Sequence, residues 1–186
     1  LLAVLQSVIQ LTDAATVKDF RTAISRRLQA LARTHASISA SNWEGASFQS
    51  LLNDEFAPYL GSDKARIRLT GDDLFLDTGT AQTAALIIHE LTTNAAKYGA
   101  LSVASGQILV DWTVTDISPR ASHLIICWQE MGGPPLVEPK KLGFGSTVIS
   151  MLSREREGGM AEFDWQTAGL RVRIVLPLEK SDRCLA

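Results

Sequence analysis

The segment around 84–100 constrains the fold of this chain more than any other stretch. Its apolar residues recur every three to four positions, which is typical of an amphipathic helix with one buried stripe. The stripe consists of Ala84, Ile88, Leu91 and Ala95. Beside it, Glu90, Asn94 and Lys97 occupy positions i, i+4 and i+7 and share one helical face. A carboxylate, an amide and an amine in line suit a site for a metal–polyphosphate, although an ordinary helix with polar surface residues explains the same spacing.

Composition limits the classes of protein to which the chain can belong. With 186 residues, of which 46% are hydrophobic, it can form one full domain with a substantial core and a small extra module. A net charge of −2 argues against nucleic-acid binding, because phosphate contacts require a basic surplus. Cys127 and Cys184 lie far apart, which disfavours a disulfide framework or zinc site. Without a membrane-span-sized apolar run or a signal-peptide pattern, we expect no direct membrane contact and a cytoplasmic location.

The first forty residues are helical in pattern. Residues 1–9 are strongly apolar, and Thr12 or Asp13 can end that helix and cap the next one. From Val17 onwards, apolar residues recur at helical spacing, and the arginines Arg21, Arg26, Arg27 and Arg33 fall mostly elsewhere on the surface. This pattern predicts a helical hairpin. The hairpin would form half of a four-helix bundle with a second copy of the chain, although packing onto its own domain is the alternative.

After the hairpin the pattern becomes α+β. A connector helix is predicted from Phe48 to Ala57, closed by Pro58, and Thr78 or Thr80 is predicted to cap the long helix that ends at Tyr98. A further helix is predicted from Ser146 to about Glu155. Strands are predicted at 66–69, 74–76, 107–114, 122–128, 160–165 and 170–176. The fold class is therefore a helical hairpin followed by a two-layer α/β sandwich with a mostly antiparallel sheet. The expected boundaries are 1–40 for the hairpin, 41–61 for the connector, 62–180 for the sandwich and 181–186 for a tail.

Two further motifs lie in the second region. Trp128-Gln129-Glu130-Met131-Gly132-Gly133-Pro134-Pro135 ends a strand, and its carboxylate could accept a hydrogen bond from a planar amine. A plain strand-ending turn explains the same residues. Gly143-Phe144-Gly145-Ser146-Thr147 leads into an apolar helix, so glycines and a Ser/Thr cap could offer free backbone N–H groups to a phosphate. The spacing of a P-loop is absent from the sequence.

The three motifs together, in this order, resemble the HWE branch of bacterial sensor histidine kinases. The branch takes its name from a histidine beside the N-box glutamate and from a Trp-x-Glu pair, here His89, Trp128 and Glu130. The resemblance covers nearly the whole chain. It implies the C-terminal part of the dimerisation helices, followed by a catalytic ATP-binding domain of the GHKL type.

The resemblance also implies roles for the matching residues. Asn94 would coordinate Mg²⁺ on the ATP phosphates, Glu90 would act as general base on the attacking imidazole, and Lys97 would neutralise phosphate charge. Glu130 would bind adenine, with Gly132 and Gly133 leaving room for the base. The other residues implied in catalysis or cofactor binding are His89, Tyr98, Trp128, Gly143, Phe144, Gly145 and Ser146. For His89 and Trp128, a structural role is as well supported as a direct catalytic one. His89 could simply hold Glu90 in place, and Trp128 could be a core aromatic residue that ends a strand.

The activity implied is phosphoryl transfer from Mg·ATP to a histidine, and then to an aspartate of a response regulator. The family pattern puts the accepting histidine ahead of Leu1, so this chain is expected to bind ATP without phosphorylating itself. His35 is a weak candidate for an acceptor within the chain. The expected partners are a response regulator, a second copy of the chain and an upstream sensor domain.

Three alternatives remain open on the sequence. The first is a GHKL ATPase of another class, and the second is an anti-sigma-factor serine kinase. Neither class has the preceding hairpin, and the ATPases also lack the Trp-x-Glu pair. The third is a dimerising scaffold that docks a regulator without turnover. Intact Glu90, Asn94, Gly143 and Gly145 argue against a site that has decayed.

Overall fold

The computed structural model describes residues 9, 16–40, 44–60, 66–118, 121–139, 143–154 and 157–178. Within them lie the α-helices α1 Val17–Ala40, α2 Phe48–Phe56, α3 Thr78–Lys97 and α4 Phe144–Ser153. The strands are β1 Ala46–Ser47, β2 Ile67–Thr70, β3 Phe75–Leu76, β4 Gln107–Ser118, β5 Ala121–Met131, β6 Met160–Gln166 and β7 Gly169–Leu178. Short 3₁₀ turns at Ala57–Tyr59 and Ala100–Ser102 follow α2 and α3.

The main sheet has five strands in the order β2-β4-β5-β7-β6. β2 runs parallel to β4, and the other neighbours are antiparallel. In β4 and β5, buried residues alternate with more exposed ones, so one face of the sheet is covered and the other meets solvent. β1 and β3 form a separate antiparallel pair.

The helices form the second layer. α3 contacts α1, α2 and α4, and its predicted apolar stripe of Ala84, Ile88, Leu91 and Ala95 is at most 1% exposed. The side chains of α2 join the same core, where the ring of Phe56 stacks on Trp128 with centroids 5.8 Å apart. The predicted two-layer α+β architecture is confirmed.

The predicted hairpin and domain boundaries are only partly covered by the described residues. The second helix of the predicted hairpin is present as α1. The predicted first helix and its end at Thr12 or Asp13 lie outside the described residues, apart from Ile9, which is helical. The boundaries at 40/41, 61/62 and 180/181 stay predictions, since the chain is not described at 41–43, 61–65 or 179–186.

Two predicted helix starts were wrong. The cap of α3 is Asp77, whose carboxylate accepts from the backbone N–H groups of Gly79 and Thr80 at 2.7 and 3.0 Å. Asp77 outcompetes Thr78 and Thr80 because a carboxylate can accept from both N–H groups and favours the positive end of the helix. α4 begins at Phe144, with Gly143 as a cap without a side-chain bond, so Ser146 lies inside the first turn.

No helix in the described part of the chain is both long and apolar enough to cross a bilayer.

Candidate nucleotide site

A cavity of about 730 Å³ lies between α1, α3 and α4 and reaches the sheet at β5, β6 and β7. The line formed by Glu90, Asn94 and Lys97 faces this cavity, as its spacing predicted. In all, nine of the residues to which the resemblance assigns catalysis or cofactor binding contribute to the wall: His89, Glu90, Asn94, Lys97, Tyr98, Glu130, Gly143, Gly145 and Ser146. Three distant motifs therefore meet at one concave site of a size suited to a small-molecule ligand.

The remaining candidate residues lie outside the cavity wall. Trp128, Gly132 and Gly133 do not line the cavity. Gly132 has φ +66°, and a Cβ on Gly133 would lie 3.0 Å from the backbone of Ala100, so both glycines allow the loop after β5 to approach the end of α3. Phe144 is the first residue of α4. Room for an adenine base beside Gly132 and Gly133 stays a prediction.

Glu130, to which the resemblance assigns adenine binding, lies near the C-terminal end of α3. Its side chain accepts a hydrogen bond from the backbone N–H of Ala100 at 2.8 Å and another from Trp128 Nε1 at 3.2 Å. The residue is 5% exposed. Burial raises the pKa of Glu130, against the two hydrogen bonds, which lower it.

Trp128 is a core residue that also holds Glu130. Its ring is 1% exposed and packs on Phe56, while its indole N–H donates to the carboxylate two residues along the same strand. Residues i and i+2 of a strand share a face, which explains the Trp-x-Glu spacing. The geometry thus places Trp128 behind the cavity wall.

Gly145 brings the start of α4 against α3. A Cβ at this position would lie 2.7 Å from Asn94 Nδ2 and 3.1 Å from Glu90 Oε2. A Cβ on Gly143, by contrast, would meet nothing within 4 Å. The two glycines therefore differ: Gly145 is required by close approach, and Gly143 leaves the end of the helix open.

Glu90 is paired with a residue that the sequence interpretation placed on the surface. Arg27 of α1 is only 7% exposed, and its Nε and Nη2 lie 2.6 and 2.9 Å from Oε1 and Oε2 of Glu90. This correction has a physical reason, since Arg27 stands three residues after Ile24 and four before Leu31, on the buried face of α1. That spacing was the available signal, because a buried arginine requires a carboxylate partner.

His89 is anchored to α2. Its Nδ1 lies 2.7 Å from Oε1 of Glu55, and Oε2 of Glu55 accepts from Arg33 of α1 at 2.8 Å. His89 and Glu55 are 7% and 9% exposed. The ring of His89 therefore contacts Glu55, whereas its neighbour Glu90 is held by Arg27. No sequence motif marks Glu55.

Cationic side chains of two helices line the cavity beside carboxylates. Arg26 and Arg27 of α1 and Lys97 of α3 contribute to its wall, together with Asp19, Glu90 and Glu130. Burial is the main cause that lowers the pKa of Lys97, and the nearby charge of Arg26 lowers it further. Tyr98, which is 70% exposed, stands at the rim. An anion entering the cavity would relieve the repulsion between these cations.

Comparison with known proteins bears on what this site is. A family model described as HWE histidine kinase matches residues 1–73. A blue-light-activated histidine kinase of Rhizobium johnstonii is 31% identical over 176 residues, which are 95% of this chain. The chain belongs to the HWE histidine kinase family. A second relative, a blue-light-activated histidine kinase from Brucella ovis, is 30% identical over 155 residues, which are 83% of this chain.

Solved structures agree with the family at the level of the fold. The histidine kinase domain of a blue-light activated histidine kinase from Erythrobacter litoralis superposes with a TM-score of 0.65, covering 94% of this chain and 93% of that domain at 17% identity. The longer structure of the same kinase gives 0.69, covering 95% of this chain and 56% of that one. This HWE chain spans about half the length of its Rhizobium relative and 31% of the length of its Brucella relative.

Proposed function

We propose that the cavity binds Mg·ATP and that this HWE chain is the catalytic part of a sensor histidine kinase. The observation that carries the proposal is the arrangement along α3. Glu130 meets Ala100 just beyond the C-terminal end of the helix, whereas Asn94 and Glu90 lie further back against the start of α4. At 1.5 Å per residue, Glu90 stands roughly 15 Å before Ala100. That separation suits an extended nucleotide with its base at Glu130 and its terminal phosphate near Glu90.

The cavity offers groups that polyphosphates need. Lys97 supplies a cation between Asn94 and the Glu130 end, and backbone N–H groups at the start of α4 lie at the positive end of a ten-residue helix, beside Asn94 and Glu90. Glu130, at the opposite end, would accept a hydrogen bond from the amine of adenine. Binding therefore uses one carboxylate for the base and cationic or N–H groups for the phosphates.

Asn94 is the residue that would hold Mg²⁺. The described residues contain no group of three or more His, Cys, Asp or Glu side chains able to hold a metal ion. Both oxygens of Glu90 are engaged by Arg27. A single amide oxygen fits a magnesium ion that keeps water and phosphate as its other ligands. The bound ion would supply charge neutralisation for the transferred phosphoryl group.

Phosphoryl transfer would follow from positioning. A nitrogen of the accepting imidazole forms a bond to the γ-phosphorus, the bond to the bridging β,γ-oxygen breaks, and ADP leaves. Glu90 takes the proton from the attacking imidazole, which requires that Arg27 release at least one carboxylate oxygen. The family resemblance puts the accepting histidine ahead of Leu1. A response regulator would take the phosphoryl group from that histidine on one of its aspartates.

The proposal extends to assembly. The helical hairpin would pair with a second copy, and a sensor domain would precede it, as the blue-light-activated relatives suggest by name. Sedimentation of the chain measures the first point directly, since a dimerising hairpin gives twice the mass of the monomer.

Isothermal titration of this chain with ATP, in the presence and absence of Mg²⁺, tests the proposed function. We expect saturable binding that Mg²⁺ strengthens, and loss of the Mg²⁺ effect in Asn94→Ala. Asn53→Ala is the matched control, because Asn53 is an exposed amide on α2. Absence of binding by the unaltered chain would contradict the kinase proposal and favour a scaffold without turnover.

A further inference from the structure

We propose that Glu55 is a positioning residue for His89, and that it turns the Nε2 edge of the imidazole toward the terminal phosphate of the nucleotide. This inference rests on the proposed function, since it assigns a contact within the same cavity. It also assigns a role to His89, which the family resemblance marks without explaining its function. Glu55, which belongs to none of the sequence motifs, is assigned a role as well.

The first step is the anchor. Glu55 lies in α2 and His89 in α3, and the 2.7 Å contact between Oε1 and Nδ1 is buried on both sides. The second carboxylate oxygen is bound by Arg33 of α1 at 2.8 Å, which restricts rotation of Glu55. A carboxylate can only accept, so the proton of this hydrogen bond resides on Nδ1. The ring is thereby fixed in orientation and in protonation at one nitrogen.

The second step is the direction of the opposite edge. His89 contributes to the cavity wall, but Glu55 does not. The edge that carries Nδ1 faces Glu55, which lies outside the cavity wall. We take the opposite edge, which carries Nε2, to be the one that faces the cavity. Within the described chain, the contact with Glu55 is the hydrogen bond found at the His89 ring. Nε2 is the remaining nitrogen available for a ligand.

The third step is which part of the ligand it meets. His89 is adjacent to Glu90, whose Oε2 lies beside the start of α4. On α3, His89 lies five residues before Asn94 and Glu90 lies four residues before it. They lie at the far end of the cavity from Glu130. In the nucleotide complex, the ring would carry a second proton on Nε2 and donate it to an oxygen of the γ-phosphate. The carboxylate of Glu55 stabilises this doubly protonated ring.

The arrangement predicts selectivity for triphosphate over diphosphate. A γ-phosphate oxygen gains a hydrogen bond from a charged ring, whereas a diphosphate does not reach it. Loss of a hydrogen bond to a charged group corresponds to about a tenfold or larger loss in affinity. A merely structural role for Glu55 would weaken ATP and ADP alike, so the ratio of their dissociation constants is the diagnostic quantity.

The test measures Mg·ATP and Mg·ADP affinities by titration calorimetry, with ¹⁵N NMR of the His89 ring. In Glu55→Leu, which keeps bulk but removes the acceptor, we expect the preference for ATP to fall about tenfold while ADP binding is retained. Glu55→Gln keeps an acceptor oxygen and should lie closer to the unaltered chain. His89→Leu should show the same loss, without further loss when combined with Glu55→Leu. Asp54→Asn, an exposed neighbour on α2, is the control and should change nothing.

Several outcomes would overturn the inference. They are an unchanged ATP preference in Glu55→Leu, an equal loss for both nucleotides, or additive losses in the double variant. If the unaltered chain binds ATP and the ratio of ATP to ADP affinity is the same in Glu55→Leu, this inference alone is wrong. If the unaltered chain binds neither nucleotide, the proposed function fails too. Should Glu55→Leu not fold, the NMR spectrum of the unaltered chain still decides, because a ring without a proton on Nδ1 contradicts the anchor.

Discussion

Arg27 of α1 donates hydrogen bonds to both carboxylate oxygens of Glu90 in α3, although the two residues are 63 positions apart in the sequence. The pair joins the second hairpin helix to the helix that carries the candidate catalytic residues. It also occupies the group that would have to accept a proton from an attacking imidazole. If Glu90 is the general base of the proposed transfer, its release therefore depends on the position of α1.

The first prediction concerns the stability of this ion pair. Arg27→Met should lower the free energy of unfolding by about 3 kcal/mol or more, because it leaves the buried carboxylate of Glu90 without its partner. The double variant Arg27→Met/Glu90→Gln should lose less than the two single losses added together. Urea denaturation of the four chains measures the coupling. Arg21→Met, at an exposed position of the same helix, is the control and should stay within about 0.5 kcal/mol. Strictly additive losses would show that the pair is not coupled.

The second prediction separates binding from transfer at Glu90. In a longer chain that includes the residues ahead of Leu1, Glu90→Gln should lower formation of acid-labile phosphate by about 10²–10⁴-fold, because the amide cannot take a proton. Mg·ATP affinity should change little. Glu138→Gln, in an exposed loop position, serves as the control. Unimpaired labelling of the Glu90→Gln chain would rule out a general-base role.

The third prediction follows from the raised pKa of Glu130. Burial makes this carboxyl hold its proton more tightly in the folded chain than in the unfolded chain. Its contribution to stability is therefore present below its usual pKa and is lost as the pH rises through the raised value. Glu130→Gln cannot ionise, so its stability relative to the unaltered chain should improve between about pH 4 and about pH 8. Denaturation at the two pH values measures the change, and a difference independent of pH would contradict it.

The fourth prediction concerns the close approach at Gly145. A methyl group there would displace the amide of Asn94, so Gly145→Ala should weaken the Mg²⁺-dependent part of ATP binding. Folding should be affected little, because the ends of flexible side chains can move. Gly143→Ala meets no atom within 4 Å and should lose less. Calorimetry with and without Mg²⁺ distinguishes the two variants; equal losses would mean that crowding of Asn94 is not the cause.

The sequence predicted those parts of the molecule that depend on local pattern. The apolar stripe of α3 and the alternation in β4 and β5 are read directly from periodicity, and the structure follows both. The common face of Glu90, Asn94 and Lys97 is likewise a consequence of helical geometry. These features need no knowledge of which elements meet in space.

The features that the sequence did not reveal depend on long-range contacts. The sequence pattern puts Arg27 on the surface because its partner is far away in the chain, and no motif marks Glu55. The pattern does not distinguish Asp77 from Thr78 and Thr80 as the cap, because all three are common cap residues and the choice depends on where the backbone turns. Pairings of this kind become visible only once the helices are placed.

The most direct test of the nucleotide site is NMR of the chain with ATP and Mn²⁺ in place of Mg²⁺. We predict that the paramagnetic ion broadens the side-chain amide of Asn94 and the backbone amide of Gly145. With Mg²⁺ as the ion, ATP should shift the amide of Ala100, beside Glu130. Broadening centred on another part of the chain, or no change at Asn94 with saturating nucleotide, would contradict the account.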